Sequence, residues 1–114
     1  MKKLNKIVGG KGELDASKFL KKNKYNILEM NYTCKLGEID IIAKEKKVIV
    51  FVEVKTRASC QFGRPAEAVT PHKQQKIRTV ASYYLMLKGL SESDVRFDVI
   101  EVLDDEINHI KNAF

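Results

Sequence analysis

Apolar residues recur at helical spacing twice along this chain and at strand spacing four times. From Glu13, the positions Ala16, Phe19 and Leu20 fall on one face of a helix, with Lys18, Lys21 and Lys22 mostly off it. Glu13 shares that inward stripe near the helix N-terminus, an unusual place for an acid without a partner. Lys24-Tyr25-Asn26 ends the helix, and residues 26–33 read as a first strand. Leu36-Gly37 turns into a second strand at 38–44, and Glu45-Lys46-Lys47 makes a tight hairpin into a third at 48–55. The run Val48-Ile49-Val50-Phe51-Val52 has the β-branched and aromatic character of a strand buried on both faces. Thr70-Pro71 opens a second helix, with Thr as N-cap and Pro at the first helical position; Ile77, Val80, Ala81, Tyr84 and Leu85 form its buried stripe and Gly89 ends it. Residues 96–103 then alternate, with Phe97 and Val99 opposed to Asp98, Ile100 and Val102. The order α-β-β-β-α-β predicts an α/β fold, a central mixed sheet flanked by helices. Residues 1–11 read as a flexible basic segment and 104–114 as a solvated acidic tail with room for one helical turn.

At 114 residues the chain is expected to form one domain, and 44% apolar with 32% charged residues describes a soluble globular protein. No apolar run approaches a membrane span, and the basic N-terminal residues lead into no apolar signal core, so no membrane partner is expected. Cys34 and Cys60 lie in no metal-ligand spacing and fit a reducing cytoplasm without a structural disulfide. The net charge of +6 is uneven: residues 1–57 carry +7, residues 58–90 carry +4 and residues 91–114 carry −5. A basic body suits an anionic partner, nucleic acid being the commonest, although lysine-rich chains are also often merely soluble.

The chemistry gathers at Gly37-Glu38-Ile39-Asp40 and Val52-Glu53-Val54-Lys55. Charges at the end of an apolar strand cost free energy unless they are paired or bind a metal. Alternation puts Glu53 and Lys55 on the face of Phe51. Glu53–Lys55 alone could be an ion pair holding no metal, but Asp40 and Glu13 converging on it leave excess negative charge for a cation to balance. Glu38 shares the face of Asp40 and is expected on the solvent side. Residues 57–65 read as a loop rimming the site. Arg96 and Asp98 read as a strand-edge ion pair, and Tyr84 as core. His72 and His109 have no partners at ligand spacing, and neither cysteine looks catalytic.

These residues together resemble a known family. Glu13, Gly37-Glu38-Ile39-Asp40, Phe51-Val52-Glu53-Val54-Lys55-Thr56-Arg57, Phe62-Gly63, Lys73 and Arg96-Phe97-Asp98-Val99 look like the YraN-like family of small bacterial proteins, from Gly12 to about Val102. That family is placed in the PD-(D/E)XK, or restriction-endonuclease-like, superfamily. The resemblance implies that Asp40 is the metal-binding aspartate, Glu53 the second acid and Lys55 the lysine of the motif. It implies that Glu13 is the first-helix acid near the metal, and that Lys73 is a basic residue of the second helix beside the site. No proline precedes Asp40, a feature shared with many resolvase-like members.

The implied activity is Mg²⁺-dependent (or Mn²⁺-dependent) hydrolysis of phosphodiester bonds in DNA, with structured or branched DNA as the substrate of resolvase-like relatives. Asp40, Glu53, Glu13 and the Val54 carbonyl are then the expected metal ligands, since Mg²⁺ prefers a few carboxylates and keeps several waters. Lys55 would orient and help deprotonate the attacking water. Arg57, Arg64, Lys73 and Lys76 would hold backbone phosphates. Cutting both strands usually takes two active sites, which makes a homodimer a natural arrangement. The alternative from a different class is a non-catalytic nucleic-acid-binding or adaptor protein that keeps the nuclease fold and the basic surface.

Overall fold

The computed structural model describes residues 10–57, 69–104 and 106–114, without the side chain of Arg57. The elements run α1 (Lys11–Lys22), β1 (Asn26–Cys34), β2 (Gly37–Glu45), β3 (Val48–Arg57), α2 (Pro71–Leu87), β4 (Asp94–Leu103) and β5 (Glu106–Ile110). The strands form a single sheet in the order β1-β2-β3-β4-β5. Neighbours are antiparallel except β3 and β4, which run parallel across the α2 connection. This is the expected mixed α/β sheet, with one strand more than the sequence pattern predicts.

The helices cover opposite faces, and strand alternation sorts the core between them. Ile42, Ile49, Phe51, Phe97 and Val99 pack against Ile77, Val80, Ala81 and Tyr84 of α2. Ile41, Ala43, Val50, Val52, Ile100 and Val102 pack against Ala16 and Leu20 of α1. Val50 through Val52 are fully buried, as expected for a strand covered on both sides. Thr70 caps α2 by accepting the Lys73 N–H, with Pro71 at the first helical position. Both helices end in the same six-residue closure. Tyr25 N–H reaches Leu20 O in α1, and Leu90 N–H reaches Leu85 O in α2. The left-handed residue is Gly89 (φ 69°) in α2 but Lys24 (φ 72°) in α1.

Two expectations are corrected. Residues 106–110 are not a solvated tail but the strand β5, paired antiparallel with β4 from Val99↔Ile110 to Leu103↔Glu106. The tail is held by long-range contacts: Ala113 N–H bonds Phe97 O at 2.7 Å, and the Phe114 ring stacks on Phe97. Arg96 and Asp98 form the expected ion pair, at 2.8 Å, but not as an isolated pair at a strand edge: β5 pairs with β4 only from Val99 to Leu103, and the residues after it, Asn112 and Ala113, close over Asp98 and Phe97. Asp98, fully buried, accepts Arg96 Nε and Nη2 at 2.9 and 2.8 Å, the Asn112 N–H at 2.9 Å, and His109 Nε2 at 2.7 Å. Arg96 also donates to Glu45 at 3.0 Å and to the Tyr25 hydroxyl at 2.7 Å. Burial alone would raise the Asp98 carboxyl, but His109, Arg96 and the Asn112 amide outweigh it and hold the pKa at about 2. The network ties β2, β4, β5 and the α1–β1 connection together, so His109, unpartnered in sequence, has a buried structural partner.

Candidate metal centre

The site forms where β2 and β3 separate. Their ladder ends at Ile41↔Val52. Beyond it β2 departs from simple alternation: Ile39 packs on the α2 side, whereas Ile41, two residues on, packs on the α1 side. Asp40 lies at this change of face, and its carboxylate turns toward β3 to accept the Val54 N–H at 2.8 Å. The side chain thus takes a donor that β2 no longer pairs through its main chain.

Glu53 follows Phe51 on the α2 face and is buried, 6% exposed. Its Oε2 lies 3.4 Å from Lys55 Nζ and 3.5 Å from Lys73 Nζ. Lys55 arrives from two residues along the same strand and Lys73 from the first turn of α2. Glu13 comes from the first turn of α1, on the other side of the sheet. Gly12 permits that approach, since a Cβ there would overlap the Thr56 hydroxyl.

The electrostatics are those of a site short of positive charge. Burial pushes the Asp40 carboxyl up to about 6, and the neighbouring Glu13 carboxyl adds to the rise by charge and hydrogen bond; the Val54 amide and Lys73 oppose it. Burial also raises Glu53, with the charge of Asp40 adding, against Lys73 and Lys55. Three carboxylates, Asp40, Glu53 and Glu13, thus share the site with two ammonium groups, Lys55 and Lys73.

The structure brings together Asp40, Glu53, Lys55, Lys73 and Glu13. Val54 contributes its amide to Asp40. Lys76 lies one helical turn beyond Lys73 and borders a groove with it. Glu38 is exposed, and Gln74 donates to Val69 O at 2.9 Å. Arg64, Phe62, Gly63 and Cys60 lie outside the described residues, as does the side chain of Arg57. The bond from Val54 to Asp40 was not predicted from sequence, because strand alternation gives no sign of a carboxylate turned sideways.

Among the described residues no three His, Cys, Asp or Glu side chains close around one point as a protein metal cage requires. Mg²⁺ needs less than that: one or two carboxylates, with waters and substrate phosphate filling the remaining positions. Half-buried Asp40 and buried Glu53, oxygen donors that together with Glu13 outnumber the two lysines, fit such an ion. Glu13 stands behind Asp40.

The model of the uncharacterised protein family UPF0102 matches residues 12–102. The chain is 52% identical over 122 residues to a UPF0102 protein of Caldanaerobacter subterraneus subsp. tengcongensis, covering 100% of both chains. It is 51% identical over 120 residues to a UPF0102 protein of Clostridium perfringens, covering 100% of this chain and 98% of that one. With a UPF0102 protein of Clostridioides difficile it shares 51% identity over 112 residues, covering 96% and 98%.

Proposed function

Since the chain belongs to the uncharacterised protein family UPF0102, the YraN-like family, whose description assigns no reaction, we propose a function from the chemistry of its site. We infer a metal-dependent nuclease that hydrolyses phosphodiester bonds in DNA, with structured or branched DNA as its resolvase-like substrate. The observation that carries this reading is the convergence of three carboxylates, half-buried Asp40, buried Glu53 and the Glu13 behind them, on the two ammonium groups of Lys55 and Lys73.

Mg²⁺ or Mn²⁺ bound there supplies a Lewis acid for the phosphate oxygens and a water acidified for attack. Asp40 and Glu53 hold the ion, and the Val54 amide fixes the Asp40 carboxylate in place. Glu13, behind Asp40, adds negative charge that favours a cation at the site. Lys55 orients the attacking water and stabilises the charge that grows on the phosphoryl oxygens. Lys73 holds the substrate phosphate at the mouth of the site.

A second reading is the non-catalytic adaptor, favoured by basic surface that needs no metal to bind nucleic acid: Lys35 and Lys76 have no ion-pair partner among the described residues. One experiment separates the two. Labelled single-stranded, duplex, flap and four-way-junction DNA, and RNA, are incubated with Mg²⁺, Mn²⁺ or EDTA and with wild type or Asp40→Ala. Metal-dependent cleavage lost in the variant supports the nuclease; salt-sensitive binding without cleavage of any substrate supports the adaptor.

A further inference from the structure

Lys73 belongs to two places at once. It sits 3.5 Å from Glu53, and it also borders a groove of about 320 Å³ between the β1–β2 turn and the first turns of α2. Lys35 and Leu36 form one wall, Lys73 and Lys76 the other, with Ile77 and Glu38 between them. Three lysines thus line the groove with one carboxylate, Glu38, while Lys73 is also paired with Glu53 behind it. Among the described residues, neither Lys35 nor Lys76 has an ion-pair partner. Their charge is available to a ligand.

A second groove, of about 400 Å³ between α1 and the β4–β5 end, is also rimmed by three lysines, Lys11, Lys18 and Lys22. It contains two acids, Asp15 and Asp104, and Lys11 is bonded to Asp15 at 3.2 Å. Lys18 and Lys22 have no ion-pair partner among the described residues either; what separates the two grooves is that none of Asp40, Glu53, Lys55 and Lys73 lines this one.

The first groove has the character of a nucleotide-strand path. Its rim is cationic where phosphates would lie. Ile77 and Leu36, the latter 43% exposed, offer apolar surface to sugar or base. Apolar surface beside a cationic rim suits a single strand, whose bases are open to contact alongside its phosphates. We propose that this groove carries a single nucleic-acid strand into the site. Lys35 and Lys76 hold phosphates flanking the one that reaches Asp40 and Glu53, and Lys73 moves from Glu53 to the phosphate between them. The proposal rests on the nuclease reading for its ligand class, and adds Lys35 and the direction from which the strand enters.

The test is fluorescence anisotropy of a labelled single-stranded oligonucleotide in EDTA, so that no metal or turnover contributes. Wild type is compared with Lys35→Glu, Lys76→Glu and the milder Lys35→Gln, and with Lys18→Glu in the other groove as control. Unfolding curves verify that each variant is folded. Charge-assisted contacts of ordinary strength predict binding weaker by roughly tenfold or more in the Lys35→Glu and Lys76→Glu variants. The salt dependence should flatten by about one per lysine removed. Lys18→Glu should bind within about twofold of wild type. Cys34, half-buried at the end of β1, supplies a second readout. In a Cys60→Ser background the oligonucleotide should slow its alkylation. Equal binding by all the lysine variants, with Cys34 unprotected, would overturn the groove and leave the nuclease reading standing. Failure of wild type to bind any strand would likewise overturn the groove, whereas the nuclease reading falls only if no substrate is cleaved with Mg²⁺ or Mn²⁺.

Discussion

The Asp40 carboxylate accepts the Val54 main-chain N–H at 2.8 Å just past the point where β2 and β3 cease to pair. A single side chain thus closes a gap in the sheet and presents charge to the site. These two roles can be separated by substitution.

Asp40→Asn keeps an oxygen acceptor for the Val54 amide and removes the charge; Asp40→Ala removes both. A buried amide left without a partner costs about 1–3 kcal/mol. The Asn variant should therefore be more stable than the Ala variant by about that amount in urea unfolding at neutral pH. Neither should bind a divalent cation at the site. Equal stability of the two would mean that water replaces the carboxylate at Val54.

Adding the missing positive charge should stabilise the fold. An ion that binds only the native state at a hundred times its dissociation constant contributes about 2.7 kcal/mol. For a domain of this size that raises Tm by about 10 °C or more, at roughly 4–8 °C per kcal/mol. Thermal scans with Mg²⁺ or Mn²⁺ should show the rise in wild type, its reversal by EDTA, and its loss in Asp40→Asn and Glu53→Gln.

Acid should unfold the protein partly through Asp98. Its folded carboxyl, at about 2 against an ordinary 3.8, releases its proton more readily than the unfolded one. Its contribution is complete above the ordinary value and is lost as pH falls from 3.8 toward about 2. The amount is on the order of 2 kcal/mol. Asp98→Asn should cost about 3–5 kcal/mol at neutral pH, because Arg96 loses its bidentate partner. Its stability should also fall less steeply below pH 4 than that of wild type. An unchanged acid limb in the variant would assign that limb to other carboxylates.

Gly12 and Thr56 should be coupled. Within a helix, Gly to Ala normally stabilises by about 1 kcal/mol. Here the new methyl would meet the Thr56 hydroxyl, so Gly12→Ala should instead destabilise, by about 1–3 kcal/mol. Combining it with Thr56→Ala should restore most of the loss, measured as a double-mutant cycle. Because α1 carries Glu13 to Asp40, the single variant should also weaken cation binding.

How much of this was legible in the sequence depended on how local the cause was. The Thr70-Pro71 helix start, the β2–β3 hairpin and the two buried stripes follow from neighbours a few residues apart. The inward placement of Glu13 follows from helical spacing, and the acid–acid–lysine set from two short motifs. The strand β5 was not legible. Its five residues begin with an acid and alternate weakly, and its order depends on Phe97 and Asp98, reached only through the tertiary fold. For the same reason Arg96 looked like an edge residue: its partners Glu45 and Tyr25 lie 51 and 71 residues away. The double attachment of Glu53 to Lys55 and Lys73 was half visible, since alternation supplies Lys55 but only the packing of α2 supplies Lys73.

The short turn at Lys46–Lys47 also bears on the order in which the molecule assembles. Hairpins form in about 1–10 μs, whereas pairing between distant segments must first close a long loop. Asp40 and Glu53 belong to the two arms of that hairpin. Lys73 arrives only when α2 docks, and the parallel β3–β4 pairing spans the whole helix between them. The nascent hairpin therefore brings its two carboxylates together before the lysine of α2 can temper either. Removing one of these acids should speed the early folding phase more than it slows unfolding.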